Sequence, residues 1–555
     1  MRKIVCVAVL AVISVNLFSQ SNSGQIHGNF QTDFQYYNED TLIGAKVPAE
    51  IMGINSFANF NYTNGNFSTG LRYEGYFPPL NGFDKRYKGV GIPYKYLQYN
   101  DGQLDVTVGD FYEQFGSGLI LRAYEERNLG YDNAFQGIKV NYNPIDGIYL
   151  KGLVGNQRNF WSKGEGIVRG IDGEISLNEL IKKFSDSKTS VLIGGSFVSK
   201  YQDGSSNPFY NLPDNVGAGA GRFNIAHGKF NFSGEYAYKI NDPSADNHMI
   251  FKPGEAFLFN ASYSQKGLGI LLGLKRIDNM SFRSDRNAAQ SSLNINYIPD
   301  LSKAHAYSLA AMYPYATQLN GESAAMADIT YTIKKGTTLG GKYGTTISIN
   351  YSRVTDISRD SVLAGDTVMV LGDEGTYGYK SNMGYFFDEL MNEEIFYQDF
   401  NIVVTKKFSK KVKSVFQLMY QEYNNDVIHG AVDWHGHIYA GIAVADVTYK
   451  FTSKKAVRIE LQHLNTEQQY GNWFSGLIEF TIPHWFFTVV DQYNYGNSDP
   501  EMAIHYPKTA IGYTKGTTRV QIGYGKQREG VMCIGGVCRN VPASNGLTLT
   551  ISSSF

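Results

Sequence analysis

The sequence predicts an all-β protein, a single large antiparallel transmembrane β-barrel of about 22–26 strands with one connecting loop folded inward. Three observations lead to this prediction. Short segments that alternate apolar and polar residues recur along the chain, and tight turns alternate with long polar segments between them. The chain also ends on an alternating strand whose last residue is aromatic.

The N-terminal segment predicts export. Met-Arg-Lys precedes an apolar run from Ile4 to Phe18 and the small polar exit Ser19-Gln20-Ser21, which is the order of a secretory signal peptide. The run is shorter than the roughly 20 residues that a spanning helix needs. We therefore assign residues 1–20 to a signal peptide and residues 21–555 to a single barrel domain.

The composition fits a barrel and excludes several other classes. The chain has 50 Lys and Arg against 51 Asp and Glu, so no nucleic-acid partner is expected. Its 40 Tyr, 34 Phe and 59 Gly, with only 15 Pro, favour pleated strands and tight turns. The slightly negative mean hydropathy is typical of a barrel, because outward apolar and inward polar residues average out.

The first hairpin shows the alternation clearly. Residues 58–62 alternate apolar residues with Asn, Asn64-Gly65 makes a turn, and residues 67–74 alternate again; Asn-Gly between alternating runs is a strong hairpin signal. Residues 178–186 predict a helical turn. Further reversals are predicted at Asn100–Gln103, Pro144–Gly147, His227–Lys229, Lys266–Gly267, Pro299–Ser302, Lys334–Gly336, Phe408–Lys411, Thr452–Lys455, Pro483–His484 and Lys515–Gly516.

Long polar segments separate these hairpins. Short turns alternating with long loops are typical of outer-membrane barrels, in which the short turns are periplasmic. The long segments are predicted at about 38–52, 77–93, 202–215, 355–394, 423–435 and 495–506.

The last strand predicts the route of membrane insertion. Leu547, Leu549, Ile551 and Phe555 share one face, and a terminal aromatic carboxylate resembles the signal read by the barrel-assembly machinery of Gram-negative bacteria. Phe555 is therefore a candidate assembly signal. The expected location is the outer membrane, with lipid around the barrel and both termini in the periplasm.

Residues 109–133 differ from the rest of the chain and predict an inward-folded loop. Their aromatic and aliphatic residues are too numerous for a long solvent-washed loop, so we expect them to pack on the inner wall. Arg122 and Arg127 are expected to pair with wall carboxylates such as Glu74 or Glu460. The candidate lumen residues are Asp110, Glu113, Arg122, Glu125, Glu126, Arg127 and Asp132, together with Arg458 and Glu460 on a later strand.

Two interpretations of the lumen charges remain open. Mixed acids and bases on the inner wall could select solutes by charge at a constriction. They could equally form a closed ion-pair network that only fills the lumen. The first interpretation predicts a porin-like channel for polar solutes. The second predicts a non-conducting accessory barrel with protein partners in an envelope secretion or outer-membrane assembly complex.

No enzyme or cofactor is predicted. The chain lacks the G-x-S-x-G and H-E-x-x-H motifs, and a barrel enzyme would need a nucleophile beside a base or a metal cluster. His429, His435 and His437 are weak metal candidates, for which a polar loop is the simpler interpretation. Strands are expected to begin soon after the signal peptide, so neither the plug domain of a TonB-dependent transporter nor the plugging segment of a fatty-acid channel is expected.

Cys533 and Cys538 predict a disulfide. They flank Ile-Gly-Gly-Val, and an even pair beside a glycine turn in an exported protein is typical of a disulfide. A metal pair is the alternative, but the neighbouring sequence lacks the ligands that would complete a zinc site.

Four stretches carry a resemblance to a known family. They are residues 109–132, Arg458–His463, Trp485–Phe487 with Asp491–Gly496, and Gly530–Arg539. Along most of its length the chain resembles an uncharacterised, porin-like family of outer-membrane barrel proteins in the Bacteroidota. The resemblance implies the fold and the location, and it implies no activity.

Overall fold

The barrel of the protein closes completely. A computed structural model describes residues 24–204, 212–288, 292–361, 379–429, 436–534 and 537–555. Within these residues, 24 antiparallel strands form one continuous sheet in which the first strand pairs with the last. Closure leaves no unpaired strand edge. A sheet can cross a lipid bilayer only when all its backbone groups are paired in this way. The predicted fold class and strand range are confirmed.

The strands are numbered along the chain. The barrel strands are β1 (Gln25–Asn38), β2 (Met52–Asn64), β3 (Phe67–Tyr76), β4 (Gly89–Asn100), β5 (Leu104–Phe111), β8 (Phe135–Tyr142), β9 (Ile148–Asn159), β10 (Ser162–Ser176), β11 (Thr189–Tyr201), β12 (Asn215–His227), β13 (Phe230–Lys239), β14 (Gly254–Gln265), β15 (Leu268–Asp278), β16 (Gly321–Ile333), β17 (Thr345–Thr355), β20 (Ile395–Lys407), β21 (Val412–Asn424), β22 (His437–Thr452), β23 (Lys455–Asn465), β24 (Trp473–Ile482), β25 (Trp485–Tyr493), β26 (Lys508–Lys515), β27 (Thr518–Gln527) and β30 (Ser544–Ser554). Three small hairpins lie in the loops: β6 (Glu125–Glu126) with β7 (Tyr131–Asp132), β18 (Asp360–Ser361) with β19 (Tyr379–Lys380), and β28 (Gly530–Ile534) with β29 (Val537–Val541). The short helices are Leu177–Leu180, Phe386–Asn392 and Asn425–His429.

The two ends of the barrel chain meet at one rim. β1 pairs with β30 in a register that sets Gln35 opposite Thr548. The amide of Phe555 donates to the carbonyl of Gly28 over 3.0 Å, and the Gly28 amide donates back over 2.9 Å. The C-terminal aromatic residue is thus part of the closing seam.

Short and long connections alternate around the barrel, as the sequence predicts. The predicted reversals other than Pro299–Ser302 fall between paired strands. The predicted helical turn is formed by helix Leu177–Leu180 and a 3-10 turn at Lys182–Phe184. The predicted short connections lie at the rim that carries both ends of the barrel, and one further short connection, residues 160–161 between β9 and β10, lies at the opposite rim.

The predicted reversal at Pro299–Ser302 is wrong. It lies inside a long segment between β15 and β16, whose described residues 279–288 and 292–320 pack within the barrel. The Pro-Asp pair at this point is typical of a turn between strands. In the structure, however, Met280, Phe282 and Leu309 of the same segment are buried against the inner wall. Tertiary burial therefore overrides the local turn preference.

Some predictions fall on parts of the chain outside the described residues. These include residues 1–20, assigned to the signal peptide, and His435. For His429 and Cys533 only the backbone is described; in the β28–β29 hairpin, Cys533 stands directly opposite Cys538 in register. No helix within the described part of the chain is long and apolar enough to cross a membrane.

Candidate functional site

Two connecting segments occupy the lumen. Lumen loop 1 (residues 112–134) connects β5 to β8, and lumen loop 2 (described residues 279–288 and 292–320) lies between β15 and β16. Lumen loop 1 reaches Arg72 on β3, Arg158 on β9 and Glu235 on β13. Only the interior of the barrel allows one short segment to touch strands so far apart in the wall.

Apolar packing seats lumen loop 1 on the wall from β9 to β15. The wall contributes small and aliphatic side chains to this contact, and an added Cβ on Gly170 of β10 would lie 2.7 Å from the ring of Phe115. A porin wall is polar on its inner face, so this apolar patch is suited to receive a plug. The fully buried loop residues are Phe115, Leu119, Ile120 and Leu121, and the wall residues include Val168, Val198, Ala218, Ala237 and Ala256.

The two lumen loops interlock through hydrogen bonds. The Arg122 amide donates to the Ile295 carbonyl over 2.8 Å, and the Tyr297 amide donates to the Gly118 carbonyl over 3.0 Å. The Asn133 side chain adds a bond to a carbonyl of lumen loop 2 over 2.8 Å. The loops therefore form one body, which we call the two-loop plug.

A buried ion-pair cluster ties the plug to the wall. Arg158 donates to Asp132 over 2.7 Å and to Glu74 over 2.7 Å. Arg72 forms ion pairs with Glu74 at 2.7 Å and with Glu125 at 2.9 Å, and it donates a hydrogen bond to Asp132. The wall supplies both arginines and the plug supplies two of the carboxylates. This is the reverse of the prediction, in which arginines of the plug pair with carboxylates of the wall.

The cluster is electrically balanced. Arg127 pairs with Glu125 of its own loop over 2.8 Å rather than with Glu74 or Glu460. With Arg127 included, the cluster contains as many guanidinium groups (Arg72, Arg127 and Arg158) as carboxylates (Glu74, Glu125 and Asp132). Burial raises the pKa of the Asp132 carboxyl, but Arg158 and Arg72 more than offset this and hold it below its usual value. The cluster is therefore charged and internally neutralised.

The same carboxylates could be mistaken for a metal site. Glu74, Glu125 and Asp132 each offer an oxygen within 4.8 Å of the others. Arg72 and Arg158 already donate into this space, and a cation would have to displace them. Mutual ion pairing accounts for the cluster without a metal.

Arg122 has a different environment from the one predicted. Its guanidinium lies over the ring of Tyr297, 4.0 Å from the centroid, and over the ring of Tyr124 at 4.6 Å. The cation–π contact with Tyr297 joins the two lumen loops rather than the plug and the wall, and the contact with Tyr124 lies within lumen loop 1. A sequence pattern of charges cannot distinguish a carboxylate partner from an aromatic one supplied by a distant loop.

The remaining candidates of residues 109–133 are mostly tied to neighbouring strands. Asp110 accepts from Lys163 over 2.7 Å. Glu113 accepts from Lys151 over 3.0 Å. Glu126 accepts from a backbone amide of its own turn, that of Asn128, over 3.1 Å. Glu113 therefore adds to the attachment of the plug, whereas the Asp110–Lys163 pair joins the wall strands β5 and β10.

Arg458 and Glu460 lie at a second contact, between β23 and lumen loop 2. Arg458 pairs with Glu460 and, over 3.0 Å, with Asp446 of β22. The Tyr307 hydroxyl of lumen loop 2 donates to Asp446 over 3.2 Å. Arg458 is one-third exposed, so this cluster borders open space, unlike the cluster at Asp132.

One plug contact has no counterpart in the sequence prediction. His305 of lumen loop 2 lies 2.5 Å from Asp399 of β20, and Gln417 of β21 contacts the other ring nitrogen at 3.2 Å. The sequence predicts only a reversal at Pro299–Ser302 in this region. The isolated position of His305 in the sequence gave no signal of a lumen role.

A polar arc of the inner wall lies on β27, β30 and β1, beside the strands that the plug contacts. Phe57 of β2 faces the lumen, because Arg127 of the plug lies 4.8 Å from its ring centroid. Phe57 pairs with Gln31 of β1, and alternation places every second residue from there on the same face. The register carries this face across β30 to β27. The polar arc consists of Gln31, Asp33, Gln35, Gln521, Thr548 and Thr550, all half-buried.

His437 takes part in a local contact. Its Nδ1 lies 3.0 Å from Glu422 on the neighbouring strand. Among the described residues, the three side chains that lie close enough to share a metal ion are Glu74, Glu125 and Asp132, and His437 is not one of them.

Solved structures with a similar barrel architecture are known. Similar solved structures include the P pilus usher (PapC) translocation pore, 9% identical with a TM-score of 0.44, covering 95% of this chain and 99% of that chain. A ferric enterobactin receptor (PfeA) mutant from Pseudomonas aeruginosa is 10% identical with a TM-score of 0.42, covering 97% and 81%. A porin mutant from Rh. blastica is 12% identical with a TM-score of 0.25, covering 66% and 100%.

Among curated proteins, none matches the chain. A family model, in contrast, matches it from the first residue to the last, residues 1–555. The protein, an outer-membrane type of barrel with a two-loop plug, therefore belongs to the family described as Family of unknown function (DUF6029).

Proposed function

We propose that the protein is an outer-membrane channel for small polar solutes, and that the aqueous path runs along the polar arc beside the two-loop plug. The observation that carries this proposal is the contrast between the two sides of the inner wall. Under the plug, apolar wall residues such as Val168 and Ala237 are fully buried and the wall arginines Arg72 and Arg158 are held in ion pairs, whereas the polar arc is only half-buried and carries amide, hydroxyl and carboxylate groups.

The polar arc suits uncharged polar solutes. Thr550 donates to Asp33 over 2.8 Å, and Gln35 donates to Ser544 over 3.1 Å. Side chains of this type exchange hydrogen bonds with water and sugars at little cost, since they are not locked in ion pairs. The arc carries one acid, Asp33, among neutral groups.

The cluster of Arg458, Asp446 and Glu460 is the proposed constriction. Lumen loop 2 approaches it through Tyr307, and Ser308 accepts from Gln492 of β25 over 2.9 Å. Opposed charges at a narrow point create a transverse field, which favours polar over apolar solutes. The plug thus narrows the lumen instead of closing it.

A second candidate function has its own observation. The cluster at Asp132 fills part of the lumen with balanced, buried ion pairs, as expected of a barrel that only scaffolds other envelope proteins. In that case the protein would be a non-conducting accessory barrel of a secretion or assembly complex. For both candidates we propose an exported protein, assembled by the barrel-assembly machinery in a member of the Bacteroidota, with both termini periplasmic.

Conductance distinguishes the two candidates. Purified protein in planar bilayers should give single-channel conductance steps. The size of these steps should fall when Thr550→Trp or Gln521→Trp narrows the path along the polar arc. The matched controls are Leu549→Trp and Ile522→Trp, whose side chains point outward from the same strands. Folded protein without conductance, or equal effects of lumen and control variants, would overturn the channel and favour the accessory barrel.

A further inference from the structure

The strands β15, β16 and β17 present a polar patch on their outer face. Lys275, Ala324 and Val354 face the lumen, because they pack against lumen loop 2 or bond to it. Neighbouring residues on a strand point to opposite sides. The side chains of Arg276, Ser323 and Arg353 therefore face away from the lumen.

The chain covers this polar patch with its own helix. Glu389 of helix Phe386–Asn392 is fully buried and accepts two bonds of 2.8 Å from the Arg276 guanidinium. Ser323 donates to Glu389 over 2.5 Å. Arg353 donates to the carbonyl of Leu390 over 2.7 Å. The helix is thereby fixed to the outside of the wall, although the sequence predicts residues 355–394 as a long polar loop.

The opposite side of this helix is apolar and exposed. Phe387 and Met391 lie one turn apart and are 72% and 73% exposed, so they form one stripe. Asp388 and Asn392 form the adjacent polar stripe, joined by a bond of 2.6 Å. A helix with both stripes exposed suits a boundary between an apolar and an aqueous phase.

The height of the helix on the barrel indicates which boundary this is. Arg276 lies near the far end of β15 from the turn at Gly267. A tilted strand rises about 2.5 Å per residue along the barrel axis, which sets Arg276 near the upper limit of an apolar band about 25 Å tall. Below the helix, the outward residues Tyr351 and Ile349 of β17 are exposed and apolar, so the stripe continues the lipid-facing surface.

We propose that helix Phe386–Asn392 is an interfacial membrane anchor, with Phe387 and Met391 inserted among the lipid acyl chains at the rim opposite the chain ends. The buried Glu389–Arg276 pair holds the apolar stripe in this orientation. Lipid covers the apolar stripe, and this proposal does not depend on whether the lumen conducts.

Spin labels on the helix test the anchor. Single cysteines at 387, 391, 388 and 392, each in a Cys533→Ser/Cys538→Ser background, are labelled with a nitroxide and reconstituted in phospholipid vesicles. Oxygen concentrates among acyl chains, and a nickel chelate stays in water. Labels at 387 and 391 should collide mainly with oxygen, and labels at 388 and 392 mainly with the nickel chelate.

Two other outcomes would overturn the proposal. If the nickel chelate reaches all four labels, the stripe is in water. If neither reagent reaches 387 and 391, protein covers the stripe, and a crosslink between copies of the chain would identify a second copy. Heat-modifiable gel migration of each variant confirms that the barrel is folded before the measurement.

Discussion

Arg158 of the barrel wall and Asp132 of lumen loop 1 are joined by a hydrogen-bonded ion pair of 2.7 Å in which both side chains are buried. Asp132 lies at the end of lumen loop 1, beside the β8–β9 hairpin, and it also pairs with Arg72 of β3, 60 residues away. The cluster thus fixes the base of the loop to two separated parts of the wall. It therefore reports directly on whether the plug is seated.

Asp132→Asn should unseat the plug. The substitution keeps the shape but leaves Arg72 and Arg158 with one carboxylate too few, and breaking a buried pair costs about 3–5 kcal/mol. We expect that loss in the free energy of unfolding, measured in urea, and larger conductance steps if the barrel conducts. The control is Asp84→Asn, whose exposed pair with Arg86 is worth about 1 kcal/mol or less. Similar losses in both variants would contradict the assigned role of Asp132.

Arg122→Ala should loosen the contact between the two lumen loops. Cation–π contacts contribute about 0.5–2 kcal/mol, so the loss should be smaller than for Asp132→Asn. A double-mutant cycle with Tyr297→Leu should give a coupling energy of that size. Zero coupling would show that Arg122 does not stabilise the plug through Tyr297.

Removal of Phe555 should lower the amount of assembled barrel. Besides its proposed recognition, its backbone closes the seam with Gly28, and its ring lies 6.0 Å from that of Phe60. Outer-membrane fractions should contain less folded protein by heat-modifiable migration, whereas Ser554→Ala should leave the level unchanged. Equal levels for the deletion and Ser554→Ala would argue against a role in assembly.

Cys533 and Cys538 should be linked in the exported protein. Their opposed positions in the β28–β29 hairpin set the Cα atoms about 4.5–5.5 Å apart, which a disulfide spans. The enclosed loop is short, so the bond should add only about 2 kcal/mol and mainly fix the hairpin. Mass spectrometry of non-reduced protein, extracted with an alkylating agent, should find the linked peptides. Two alkylated thiols would end this hypothesis.

Both chain ends should be periplasmic. The first and last barrel residues share the rim of short connections, which is periplasmic in barrels of this type. A C-terminal epitope should therefore stay hidden from antibody in intact cells and become accessible after permeabilisation. Staining of intact cells would reverse the proposed orientation.

The wall was predictable from sequence and the interior was only partly so. Alternation such as that of residues 58–62 depends on local geometry, because each strand residue faces either lipid or lumen. Lumen loop 1 was predicted from its apolar residues. Lumen loop 2 was missed, because Pro299-Asp300 resembles a strand-joining turn and the wall that buries Leu309 is distant in sequence. For the same reason, Arg122 was assigned a carboxylate partner instead of Tyr297.

The interlocked loops also constrain the order of folding. The bond between Asn133 and the Asn294 carbonyl closes a stretch of 161 residues, and contacts so distant in sequence form late, since chain entropy must be lost before they are gained. Neighbouring hairpins of the wall need no such closure. We therefore expect the wall hairpins to form first, and the packing of the two lumen loops to follow in a separate, slower kinetic phase.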